Sequence, residues 1–429
     1  MFDALRMMGP YRGLFLLLSV ATFFEGFDTQ LVALVQPKIK EEFEVSTELL
    51  GVALGLSSSG MVLAFFVIHM ADWLGRRPVF LAALLAYSVL TLATAFAPNL
   101  LIFTGLQIFA RMAMVVELGL AYVILSEEMP AAIRGRVNGI FGSVAAIGAS
   151  IPAPMLAPLD QLGIGWRGLF LIGGLPLLLF PLYMSRLEET RAFREQEPVP
   201  FSPREELALI TRLFARAYRR SLVLIIGVFL AVNVWSGTAL YFFTLYVFEE
   251  RGWTSASLAW LFLGTIPFGF LGYSLSGFAM DRLGRRWAAT LYFVAAFGAT
   301  MLCYRSTDSV AIYLGYFLMI GLGGIWTIAI TWSMELFPTE VRATAAGTTN
   351  NLFGRMGLVF APMVAGLLSA SLGSTADAIS LCALVTLAAL PLVWMLPETN
   401  AVALMGHPAE TDSPPDSVLD TPLPQEELS

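Results

Sequence analysis

Five ionisable residues stand inside long apolar runs of this 429-residue sequence: Glu25, Asp28, Arg111, Glu117 and Arg355. Taking a charge into hydrocarbon is costly, so such residues point to ion, proton or solute chemistry. Glu25-Gly26-Phe27-Asp28 spaces its two acids by three, which puts both on one helical face, where they repel and either can hold a proton. Counted from the ends of their apolar runs, Glu25 lies twelve residues deep and Arg111 eleven, about 1.5 Å apart in axial rise. Arg111 is therefore expected to neutralise the acidic pair. Glu117 is expected to carry a proton if it is buried. Arg355 is a permanent cation whose planar fork suits a carboxylate, and Asn351 lies one helical turn before it. Asn233, Tyr241 and Trp326, with Trp235 and Trp332, add polar and aromatic candidates for a solute site, against their commoner use in packing or at membrane interfaces.

None of these residues forms a nucleophile and base arrangement, and there is no phosphate-cradling glycine loop. No catalytic residues, cofactor or metal are expected, and neither enzyme nor ATP-driven pump fits. Cys303 and Cys382 stand singly in apolar runs and read as packing, and His69 and His407 as incidental. A net charge of −7 argues against a nucleic-acid partner.

The elements that must position these groups are written in the composition. With 57% hydrophobic and 13% charged residues and a mean hydropathy of +0.74, most of the chain is solvated by lipid. Apolar stretches near 11–37, 49–70, 79–97, 100–125, 139–159, 168–184, 222–248, 258–279, 288–303, 311–336, 345–372 and 378–396 predict about twelve membrane spans. Backbone groups in hydrocarbon must be paired within their own segment, so the fold class is all-α. The first apolar run is long, contains Glu25 and Asp28 and has no small-residue cleavage pattern, so it is expected to stay as a helix rather than leave as a signal.

Of 25 basic residues, only Lys38, Lys40, Arg167, Arg251 and Arg305 fall in one set of loops, with Arg111 and Arg355 in spans; the other 18 lie in the opposite set or at the N-terminus. The positive-inside rule then places both termini in the cytoplasm. The expected organisation is a six-helix bundle over 1–185, a charged linker over 186–220, a second six-helix bundle over 221–397 and a disordered tail over 398–429. Pro203-Arg-Glu-Glu resembles a helix start within the linker.

Three motifs recur between the halves. Asp72-Trp-Leu-Gly75-Arg76-Arg77 returns as Asp281-Arg282-Leu-Gly284-Arg285-Arg286. Glu127-x-x-Pro-x-x-x-Arg134 returns as Glu335-x-x-Pro-x-x-x-Arg342, and Leu187-Glu-Glu189-Thr190 as Leu396-Pro-Glu398-Thr399. The offsets, 209, 208 and 209, imply two halves of one fold joined in parallel.

Over residues 11–399 these motifs resemble the major facilitator superfamily. The Gly-x-x-x-Asp-Arg-x-Gly-Arg-Arg loop is complete from Gly277 to Arg286; the first copy has Ile68 at the Gly position and Trp73 after the Asp. The resemblance implies a gating role for these loops, with Asp72 and Asp281 pairing with arginines and helix N-termini at the inner surface. Glu25-Gly-Phe-Asp28 is similar to the signature of aromatic-acid:proton symporters, and Gly354-Arg355-Met-Gly357 to an eleventh-helix pattern of organic-ion and aromatic-acid symporters. By the same likeness Glu117 occupies an acidic position of metabolite and phosphate symporters, Gln107 stands where the superfamily usually has a fourth-helix Arg, and Arg111 lies one turn deeper. Glu117 and Arg355 are expected to face each other across a shared cavity.

The expected function is alternating-access, proton-coupled symport of a small organic anion in the inner (plasma) membrane. Glu25, Asp28 and Glu117 would handle protons, and Arg355 and Arg111 the anion. A proton-driven drug exporter and a transporter-like solute sensor are the alternatives.

Overall fold

The computed structural model describes residues 9–195, 211 and 213–399, without the side chains of 10, 131–136, 139, 217, 339, 340 and 343. The Pro203 helix start, the linker prolines, His407, the tail from Asn400 and the side chain of Arg134 lie outside these.

Among the described residues the regular structure is helical. Eleven segments are long and apolar enough to cross a membrane. The longest, Ser255–Arg305, has 51 residues, about 76 Å of rise, which is more than two hydrocarbon thicknesses. It is broken at Gly284, whose φ of 81° leaves the helical region. It therefore holds two spans, and the expected twelve are present.

They are named here α1 (Arg12–Glu42), α2 (Thr47–Leu74), α3 (Arg76–Thr94), α4 (Leu100–Glu128), α5 (Ile140–Gln161), α6 (Gly165–Arg186), α7 (Tyr218–Glu249), α8 (255–283), α9 (285–305), α10 (Ser309–Glu335), α11 (Thr344–Leu372) and α12 (Thr375–Met395). Several starts are fixed by side-chain caps. Ser46, Asn99, Asp308 and Ser374 accept the backbone N–H three residues on, satisfying donors the helix cannot pair itself.

Glycines set how closely the helices pack. A Cβ on Gly26 of α1 would collide with the Ala145 carbonyl of α5, and one on Gly60 of α2 with the Ile108 carbonyl of α4. Between the halves, Gly51 and Gly55 of α2 meet Pro362, Met363 and Gly366 of α11. At the end of the molecule away from the arginine-rich loops, polar bonds tie the halves together. Lys40 of α1 pairs with Glu249 of α7 at 2.6 Å, Gln36 Nε2 donates to the Tyr241 carbonyl at 2.8 Å, and Ser255 donates to Asp160 at 3.0 Å. The molecule is closed at that end.

Candidate functional site

At the arginine-rich end the repeated motifs fold onto themselves, once in each half. Gly75 and Gly284 both take positive φ, 101° and 81°, a conformation that opens a sharp break between two spans. The helix that follows, α3 or α9, presents free N–H groups. Those of Arg76 and Arg77 are accepted by Glu189, and those of Arg285 and Arg286 by Glu398. The side chains then knit the loop to the fourth or tenth helix: Arg76 pairs with Glu127 at 3.3 Å and with Asp72 at 3.3 Å, and Arg285 with Glu335 at 2.6 Å. Thr399 Oγ1 also donates to Glu335.

One expectation changes here. The helix N-termini are capped by Glu189 and Glu398, not by Asp72 and Asp281, because the glycine break turns the aspartates away from the N–H groups. Asp72 keeps an arginine partner, and the charge of Asp281 acts on Arg285. Ile68, at the missing glycine position, is accommodated because Gly119 of α4 faces its side chain. Arg342 Nε donates to the Phe337 carbonyl, and so stays on its own loop.

The membrane-embedded charges converge midway along the molecule. Glu25, Asp28, Arg111 and Glu117 are all buried, with at most 8% of their surface exposed. Thr29 donates to Glu25 Oε1 at 3.1 Å. Arg111 donates to Ser58 Oγ at 3.0 Å and lies over the Tyr241 ring of the other half, 5.5 Å from its centroid. Its electrostatic partner is Asp28. Glu25 instead interacts with Arg355, from the other half.

The charge of Arg111 therefore acts on Asp28 and that of Arg355 on Glu25, so the two acids of the helical pair feel different guanidinium groups. The interaction between Glu25 and Arg355 crosses the boundary between the halves. Arg355 Nη1 is buried and makes no hydrogen bond.

Glu117, which the likeness to the superfamily set across a shared cavity from Arg355, feels the charge of Glu25 and not that of Arg355. It is fully buried, both carboxylate oxygens are without a hydrogen-bond partner, and it interacts with Glu25 and with the phenols of Tyr87 and Tyr183. Those phenols donate elsewhere, to the Phe24 and Leu17 carbonyls of α1. Glu117 thus sits within the first half, among groups of α1, α3 and α6. Gln107 bonds Thr94 Oγ1 at 3.1 Å and contributes no charge.

The remaining candidates divide. Asn233 donates to its own helix at Phe229 O and packs against Gly357, so it joins α7 to α11. Trp326 donates to Asn350 Oδ1 at 3.3 Å, and Asn350 donates to Asn351 at 3.2 Å. These amides lie on a wide turn over Gly347–Gly354 whose hydrogen bonds reach five residues back, closing with Arg355 N to Asn350 O. Such turns break the regular ladder and concentrate at functional sites.

Residues 18–362 match the model of the Major Facilitator Superfamily. The chain belongs to that family. It is a membrane transporter and not an enzyme. It is 26% identical to the niacin transporter NiaP of Acinetobacter baylyi over 80% of this chain and 83% of that protein. It is likewise 26% identical to the cis,cis-muconate transport protein of the same organism over 83% of this chain and 87% of that one. The crystal structure of a D-xylose-proton symporter, 17% identical, superimposes with a TM-score of 0.69 over 90% of this chain and 98% of that one, a likeness of fold alone.

Sequence reading gave no role to Glu189 and Glu398 beyond membership of the repeat, nor any to Lys40, Glu249 and Gln36 as contacts between helices. The first two had a signal, since Leu-Glu-Glu-Thr and Leu-Pro-Glu-Thr recur at the common offset. The last three make contacts between distant helices, which no local pattern announces.

Proposed function

We propose that this transporter imports a small organic anion, a carboxylate, together with protons, by rocking two six-helix bundles about the charged cluster. The observation that carries the reading is the interaction of Glu25, in the first bundle, with Arg355, in the second. A carboxylate solute competes with Glu25 for Arg355, and a proton on Glu25 releases the guanidinium to the solute. Loading the anion and the proton together is then cheaper than loading either alone, which is the thermodynamic content of symport.

Supporting this reading, niacin and cis,cis-muconate, named for two relatives, both bear carboxylates. Arg111 provides a second cation, masked by Tyr241 while the distal end is closed. Asp28 and Glu117 extend the proton-handling group inward, and Asn351 and Trp326 line the approach to Arg355. The arginine-rich loops face the cytoplasm of a cell whose inner membrane holds the chain, with both termini on that side and 186–220 as the connector between bundles.

The test is uptake of a carboxylate panel, niacin and cis,cis-muconate included, into proteoliposomes with and without an inward proton gradient. Gradient-driven uptake is expected in the wild type. Arg355→Ala, which removes the cation that would hold the carboxylate, should reduce it by at least 100-fold, and Asp28→Asn should abolish accumulation. Failure of every acid to accumulate, with Asp28-dependent dye extrusion in its place, would turn the assignment to an exporter.

A further inference from the structure

A groove of ≈ 520 Å³ runs down the membrane-facing side of the second bundle, between α8, α9 and α10, remote from the charged cluster. Its floor follows from two glycines. Gly272 of α8 and Gly321 of α10 bring the backbones together so closely that a Cβ on Gly272 would collide with the Gly321 carbonyl. Bulky side chains, Phe268, Leu275, Phe278, Leu291 and Phe317, stand up around that floor, with Phe268 and Phe317 stacked 4.7 Å apart at one end.

The other end carries a charge. Arg282 is exposed, lines the groove, and holds its guanidinium 4.6 Å from the centroid of the Phe278 ring, over the groove wall. Its neighbours are occupied: Arg285 is paired with Glu335, Arg286 Nε donates to the Leu396 carbonyl, and the charge of Asp281 acts on Arg285. Phe268 and Arg282 are fourteen residues apart, about 21 Å of helical rise, which exceeds the roughly 15 Å depth of one leaflet's hydrocarbon.

We propose that this groove is a binding site for one anionic phospholipid, with an acyl chain along the glycine floor and the phosphate on Arg282. An apolar trough with a single guanidinium at the interfacial end complements that molecule in shape and charge. Arg offers a phosphate two parallel N–H donors, and a zwitterionic lipid gains less because its own ammonium offsets the field. Arg282 lies on the last turn of α8, just before the Gly284 break into α9, so the headgroup rests on a segment the rocking of the bundles must carry. The inference needs only that the chain spans a bilayer, and its test does not read transport.

The experiment is native mass spectrometry of the full chain released from vesicles of equimolar phosphatidylglycerol and phosphatidylethanolamine. One phosphatidylglycerol should be retained over phosphatidylethanolamine by about fivefold or more, the preference expected from one interfacial basic residue. Arg282→Gln should remove that preference, Ala279→Phe, which fills the groove, should remove the bound lipid, and Arg194→Gln, an exposed arginine elsewhere on the same end, should change neither. Equal retention of the two lipids, retention unaffected by Arg282→Gln and Ala279→Phe, or a second copy of the chain in place of lipid would overturn the proposal.

Discussion

At the scale of single residues, Glu117 is the most informative position. It is fully buried, and neither oxygen has a hydrogen-bond partner. A carboxylate held this way contributes nothing to folding that a glutamine of the same shape would not, since an unpaired buried charge costs several kcal/mol. Glu117→Gln is therefore expected to fold with stability equal to or above the wild type. It should keep solute exchange across proteoliposomes with equal pH on both sides, while gradient-driven accumulation drops at least tenfold. Loss of exchange and accumulation together would assign Glu117 to the framework of the first bundle. The presence of this acid in an apolar run was legible in the sequence; its neighbours were not. The likeness to the superfamily put Arg355 across a cavity from it, but a family pattern says nothing about this helix's rotation about its own axis, which brings Glu117 near Tyr87 and Tyr183.

At the scale of elements, the break between α8 and α9 is built from Gly284 and Glu398, and its counterpart between α2 and α3 from Gly75 and Glu189. Gly284→Ala forces an L residue to a φ of 81° and sets its Cβ 2.9 Å from Glu398 Oε2. The expected loss is about 1–3 kcal/mol, larger than the roughly 1 kcal/mol for Glu398→Gln, which removes only the charge-assisted cap. Thermal unfolding in detergent should rank the variants in that order, and a Gly284→Ala protein as stable as the wild type would show that the break is not imposed by this glycine. The motif's glycines, arginines and glutamates were visible because they recur at one offset. Which acid caps which helix was not, because Glu189 and Glu398 arrive from more than a hundred residues away.

At the scale of the molecule, the halves are latched at the end opposite the arginine-rich loops by Lys40 and Glu249, with Gln36 on the Tyr241 carbonyl beside them. The pair is partly exposed, with side chains at 24% and 36%, so it is worth about 1 kcal/mol or less and can open on each cycle. Replacing both with cysteine and oxidising them should lock that end shut, stop uptake, and allow recovery on reduction. Uptake that continues through a fully cross-linked population would mean that the two ends do not alternate there.

By itself the sequence determined the twelve spans, their helical character, the twofold repeat and the identity of the charges taken into the membrane. These are local quantities: about 20 apolar residues must cross as a helix because their backbone has no other partner, and a repeat is a comparison of the chain with itself. The tertiary structure decided the partners. Glu25 feels the charge of Arg355 from 330 positions away, Asp28 that of Arg111, and Glu117 lies in the first half with Glu25 as its charged neighbour. Each outcome depends on how helices rotate and dock at their glycine contacts, as at Gly26 with Ala145 and Gly357 with Asn233, and a helix's own periodicity does not specify its neighbour.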